Sequence, residues 1–173
     1  TTFKNEPTIM AWNIGNELKA EAASDLLVGF MHTMAKKMRE WDPNHLITTG
    51  MISTRHAWMA TPQFADWRPR LYDVPWLDFI TNHAYHGDDD PSTSPEQENE
   101  AASREDDHDL AVRFGKPCLI EEAGFKASGN RVALYSKEMD ALLGGDGTRA
   151  AGYMPWGFMA GGDNGDGNNE LGI

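Results

Sequence analysis

The sequence predicts an α/β fold with parallel strands, on three observations. Short apolar runs alternate along the chain with longer segments whose apolar residues recur every three or four positions, the strand–helix–strand order of parallel architecture. The first of these runs is nearly continuous, as expected of a strand covered on both faces. Hydrophobic residues make up 40% of the 173, with Trp 6, Phe 7 and Met 9, too many large side chains for a disordered chain and enough for a core. The length suits one domain, taken here as residues 1–173.

The elements follow in order. Ile9-Met10-Ala11-Trp12-Asn13-Ile14 reads as a strand, broken by Gly15-Asn16 just before Glu17. Between Leu18 and Trp41, the residues Leu27, Phe30, Met31, Met34, Met38 and Trp41 form one stripe of an amphipathic helix, stopped by Asp42-Pro43-Asn44. Leu46 to Gly50 is the second strand. A long connection from Met51 to Pro75 shows no clear periodicity, but its tryptophans argue that it is ordered.

Trp76 to His86 is the third strand, followed by the Asp88-Asp89-Asp90-Pro91-Ser92 loop and a polar helix from Pro95 to Phe114. Gly115-Lys116-Pro117 turns the chain into Cys118-Leu119-Ile120-Glu121-Glu122. Asn130 to Leu143 is helical and ends at Gly144-Gly145, and Ala150 to Phe158 is the last strand. The glycine- and aspartate-rich run beyond it, Asp163 to Asn169, reads as a flexible loop. It lacks the acidic spacing and closing glutamate of a calcium loop.

Charge and cysteine content narrow the function. Lys plus Arg number 15 against 27 Asp plus Glu, a formal −12 at pH 7, which disfavours nucleic acid and anionic lipid as partners. A neutral sugar is indifferent to that field. Much of the acid lies between Asp88 and Asp109 and is expected to be a solvated helix face with its loop. Cys118 is the only cysteine, inside an apolar strand, so it reads as core, and no disulfide or cysteine-based metal site is expected. No run has the length of a membrane helix, and the first residues do not form a signal peptide.

In parallel α/β proteins functional groups collect at the carboxyl ends of strands. Those ends here carry Asn16 and Glu17, His83 and Tyr85, Glu121 and Glu122, and Trp156. A glutamate ending a buried strand is costly unless it is paired or used, and two such ends suggest a two-carboxylate site. One carboxylic acid can protonate a leaving oxygen while the other attacks an anomeric carbon or activates water, which is the chemistry of cleaving a sugar linkage. Strict alternation turns Glu121 away from the site if Glu122 faces it.

Four segments carry a resemblance. Trp12-Asn13-Ile14-Gly15-Asn16-Glu17 resembles the Asn-Glu motif ending the fourth barrel strand of clan A glycoside hydrolases, especially glycoside hydrolase family 5. Leu77-Asp78-Phe79 through His83-Ala84-Tyr85 resembles their sixth strand, Lys116-Pro117 through Glu122-Ala123-Gly124 their seventh, and Tyr153 to Trp156 their eighth. By that resemblance Glu17 is the general acid/base and Glu122 the nucleophile of a retaining mechanism. Asn16 would bind the sugar 2-hydroxyl, Tyr85 would hydrogen-bond the nucleophile, His83 would support the site, and Trp156 would lie under the sugar ring. Ala123 stands where the family has an aromatic residue.

The resemblance further implies a (β/α)8 barrel, which typically takes about 250 residues. The expectation is therefore a partial, half-type TIM barrel of about five parallel strands, equivalent to the fourth to eighth, with strands one to three absent. A barrel left open exposes strand edges, so a homodimer is expected. The expected activity is hydrolysis of a β-1,4-linked polysaccharide or oligosaccharide of the mannan or glucan type, in a secreted or extracytoplasmic setting. It needs no cofactor or metal. The alternative is a carbohydrate-binding remnant without catalysis.

Overall fold

The computed structural model describes residues 2–18, 24–52, 67–86, 106–125, 131–144 and 150–156. Five strands alternate with helices as the sequence predicts: β1 (Ala11–Asn13), α1 (Ser24–Trp41), β2 (Leu46–Thr48), α2 (Trp67–Tyr72), β3 (Ile80–His86), α3 (residues 106–114), β4 (Cys118–Phe125), α4 (Arg131–Leu143) and β5 (Gly152–Pro155). Every ladder is parallel: β1 pairs with β2, β3 with β4, and β4 with β5. The protein is thus α/β with parallel strands, and all the described strands end on the same side.

No ladder joins β2 to β3 among the described residues, and backbone and side-chain hydrogen bonds from the residues just before β3 close that gap instead. The Asp78 backbone N–H donates to Ile47 O at 2.9 Å, and Asp78 Oδ2 accepts from the Ile47 N–H at 2.7 Å. Thr48 Oγ1 donates to Phe79 O at 2.9 Å. Arg39 of α1 ion-pairs with the same Asp78 carboxylate. Backbone groups of both strands are therefore satisfied without a continuous ladder.

One core cluster lies between α1, α2 and the strands, with Leu27, Val28, Met31 and Ala35 of α1 against Ile47, Leu71 and Ile80. A second, of Ala84, Ile120, Ala123, Leu142 and Ala150, seats α4 on β4. Burial of each large side chain is worth about 1.5–3 kcal/mol. Cys118 is buried in the first cluster, and burial pushes its thiol up, which agrees with an inert core role.

Several expectations change. The α1 stripe is rotated: Val28 and Ala35 are buried with Leu27 and Met31, whereas Phe30 and Trp41 are exposed. Ala35 is small, and its place on the inner face lets the helix approach the strands closely, which a count of large hydrophobes misses. β1 is half-buried rather than covered on both faces. The connection expected from Met51 to Pro75 contains α2, whose Trp67, Arg68, Leu71 and Tyr72 are buried. Pro69 is tolerated there because it lies in the first turn.

The acidic segment is not wholly a solvated face either. Asp107 of α3 is buried, 2.7 Å from Arg68 Nη2, and Arg68 also donates to Ile52 O at 2.9 Å and Thr81 O at 2.6 Å. Burial pushes the Asp107 carboxyl up to about 7 despite the guanidinium beside it. One arginine thus ties the end of β2, α2, β3 and α3 together. Residues 53–66, Asp88-Asp89-Asp90-Pro91-Ser92, Pro95 and the start of its helix, and the Asp163 to Asn169 run lie outside the described residues.

Candidate active site

Glu17 lies in the segment that follows β1, in a left-handed backbone conformation with φ +49°. That region is uncommon for a residue with a Cβ, costs about 1 kcal/mol or more, and persists only when neighbours impose it. The neighbour here is Gly50, after β2: the Glu17 N–H donates to Gly50 O at 2.8 Å. Gly50 itself has φ +65°, and a Cβ there would lie 2.0 Å from Gly15 O. Only glycine lets these two strand ends meet, so Gly50 is a supporting residue that the sequence reading passed over as the end of a strand.

The Glu17 side chain reaches across to β3. Its Oε1 accepts a hydrogen bond from His83 Nδ1 at 2.8 Å, linking the first described strand to the third. His83 is only 1% exposed. The same Nδ1 lies 3.6 Å from Glu122 Oε2, and Nε2 lies 3.7 Å from Glu121 Oε2. One imidazole therefore has three carboxylates around it.

A bulge in β4 explains how two consecutive glutamates reach the same ring. Asn82 pairs with Ile120, but His83 pairs with Glu122, so one residue of β4 is extra. The β4–β5 ladder shifts at the same place, from Ile120–Tyr153 to Ala123–Pro155. Ile120 and Ala123 both face the α4 core, three residues apart instead of two. Glu121 and Glu122 are left between them, which overturns the expectation that alternation turns Glu121 away.

Burial alone would lower the His83 imidazole, but Glu121, Glu17 and the charge of Glu122 outweigh it and push the ring up to about 9. The ring is therefore an imidazolium at neutral pH. Atoms of Glu17, His83 and Glu122 all lie within 4.8 Å of one another. Nδ1 is the ring atom that faces both Glu17 and Glu122.

The other expected site residues fall around this centre. Asn16 is exposed beside Glu17. Trp156 directly follows β5 and is 37% exposed, and its N–H donates to Ala123 O at 2.7 Å, which pins it one residue from Glu122. Tyr85 belongs to β3, paired with Gly124, and its side chain lies outside the described part. Partly buried carboxylates thus gather round a buried imidazole, with the exposed Trp156 at the end of the adjoining strand.

A family model described as GH family 5 beta-mannosidase-like matches residues 1–141. The chain belongs to glycoside hydrolase family 5. Among family members, the probable mannan endo-1,4-beta-mannosidase F of Aspergillus flavus is 28% identical over 138 residues, 73% of this chain and 28% of that protein. The mannan endo-1,4-beta-mannosidase A of Podospora anserina is 27% identical over 162 residues, 90% of this chain and 42% of that one. The chain thus spans less than half the length of these two relatives.

Solved structures agree. The endo-beta-1,4-mannanase from Thermotoga petrophila superposes with a TM-score of 0.70 at 30% identity, over 99% of this chain and 41% of that one. A family 5 mannosidase from Rhizomucor miehei shares the fold at a TM-score of 0.67 and 18% identity, over 94% of this chain and 42% of that one. The parallel α/β array of this family 5 chain accordingly corresponds to part of a TIM barrel. Among the described residues, no helix is long and apolar enough to cross a membrane.

Proposed function

We propose that this protein is a retaining glycoside hydrolase acting on β-1,4-linked mannan, with Glu122 as nucleophile and Glu17 as general acid/base. The observation that carries this reading is the approach of the Glu17 and Glu122 carboxylate oxygens to within 4.8 Å. Retaining enzymes hold their carboxyl groups about 5–5.5 Å apart, and inverting enzymes about 6.5–9.5 Å. Mannan is favoured over glucan because the relatives and structural neighbours cited above are named for mannan or mannosides.

In this reading Glu122 attacks the anomeric carbon as the glycosidic bond breaks, and Glu17 gives its proton to the departing oxygen. Glu17 then takes a proton from water, which displaces Glu122 from the sugar. Asn16 is placed to bind the 2-hydroxyl and Trp156 to lie under the sugar ring. The family resemblance assigns the hydrogen bond to Glu122 to Tyr85, on the strand beside β4. His83, buried beneath the carboxylates, acts on them rather than on the sugar. The five strands correspond to the fourth to eighth of the barrel, within one domain over residues 1–173. A second copy of the chain is the partner assigned to the edges of β1 and β5 left unpaired among the described residues.

Release of reducing ends from β-mannan by the purified protein tests the activity. Turnover that is lost in both Glu17→Gln and Glu122→Gln supports the assignment. Mannan binding without release of reducing ends overturns it in favour of a binding module.

A further inference from the structure

Glu121 takes no part in the displacement, yet its surroundings give it one. Its side chain is 9% exposed, and among the described residues its buried Oε2 has no hydrogen-bond partner. The nearest cation is the Nε2 edge of His83 at 3.7 Å, within about 1 Å of an ordinary N–H···O bond. A buried carboxylate oxygen left without a partner is costly, and the β4 bulge that puts it there recurs in both neighbouring ladders. Without that extra residue only one of Glu121 and Glu122 could face the ring.

The charged groups facing the ring are Glu17 from the segment after β1, and Glu121 and Glu122 from β4. Glu17 and Glu122 both lie toward Nδ1, whereas Glu121 alone lies toward Nε2. We propose that Glu121 is a positioning residue that holds His83 from its Nε2 edge, keeping Nδ1–H directed at Glu17 and leaving Glu122 to the substrate. This rests on the assignment of Glu17 and Glu122 as the reacting pair. A carboxylate behind an imidazole fixes both the orientation of the ring and which nitrogens carry protons. It also balances the imidazolium charge beside the pair, so that this charge does not fall on Glu17 alone.

Glu121→Gln preserves the volume of the side chain and removes only its charge. The expected result is a kcat reduced about tenfold or more with KM unchanged. The His83 imidazole, followed by NMR, should titrate about one pH unit or more below the parent's midpoint near 9. Glu121→Asp, which keeps the charge, should recover part of both effects, and it carries the test if the glutamine variant melts before assay. An unchanged His83 titration in Glu121→Gln overturns the pairing. A shifted titration with unchanged kcat overturns the positioning role. If the parent hydrolyses no mannan, the proposed function fails separately, and the NMR titration still decides whether Glu121 pairs with His83.

Discussion

Two buried histidines stand at opposite ends of the parallel strands, and their surroundings differ in one respect, the ratio of acid to base. His45, just before β2, has Nδ1 at 2.7 Å from Asp42 Oδ2 and Nε2 at 2.9 Å from Glu6 O. The same Asp42 oxygen accepts from Trp12 Nε1 at 2.9 Å, and its other oxygen accepts from the Asn44 and His45 backbone N–H groups. One imidazole meets one carboxylate, and both are satisfied. At the carboxyl end His83 meets three carboxylates. The strand starts are built as a closed structural pair, and the strand ends hold an excess of acid, an arrangement that collects at functional sites.

The largest predicted effect separates these two ends by substitution. Glu122→Gln and Glu17→Gln should each lower kcat on mannan by about 10³-fold or more, Glu122→Gln with the melting temperature held or raised because it relieves crowding of like charges. Asp42→Asn should do the reverse, lowering Tm and leaving the rate per folded molecule unchanged. Reducing-sugar assays paired with thermal melts read both, and a loss of activity in Asp42→Asn would erase the distinction.

Gly50→Ala comes next. Its Cβ would lie 2.0 Å from Gly15 O at a φ of +65°, so the contact that holds Glu17 must open. The expected result is a stability loss of at least about 1 kcal/mol, from backbone conformation alone, together with a fall in kcat. A melt and rate matching the parent would show that Glu17 does not depend on Gly50.

The smaller effects are in the pH dependence of stability. His83 is raised to about 9 in the folded protein, above its ordinary value of about 6.5. Its contribution is therefore complete below about pH 6.5 and is lost as pH rises toward 9. Tm should fall over that window in the parent and fall less in His83→Gln. Asp42 runs the other way: hydrogen bonds from Trp12, His45 and Asn44 outweigh its burial and hold its carboxyl well below the usual range. That contribution is present above about pH 4 and disappears on acidification, so acid unfolding should begin at a higher pH in Asp42→Asn.

Much of the carboxylate–histidine cluster of the candidate site could be read from the sequence because its parts are short runs that end in acids. Trp12 to Glu17 and Cys118 to Glu122 each announce a strand by apolar content and a site by the glutamate at its end, and their order also discloses the family. What escaped reading depends on contacts between strands. The bulge that brings Glu121 to His83 is a register shift relative to β3 and β5, and nothing in the residues Ile120 to Ala123 alone specifies it. Gly50 matters because of where Gly15 lies, a pairing remote in sequence. α2 has six residues, too few to show a helical period, and Asp107 is buried beside Arg68, a partner remote in sequence.

The stereochemistry of the first product tests the two-glutamate account most directly. Proton NMR of a β-1,4-mannan oligosaccharide during hydrolysis should show the β-anomer of the new reducing end appearing first, followed by slower mutarotation. The signal should be absent in both Glu17→Gln and Glu122→Gln. Initial formation of the α-anomer, or turnover that survives either substitution, would contradict the account.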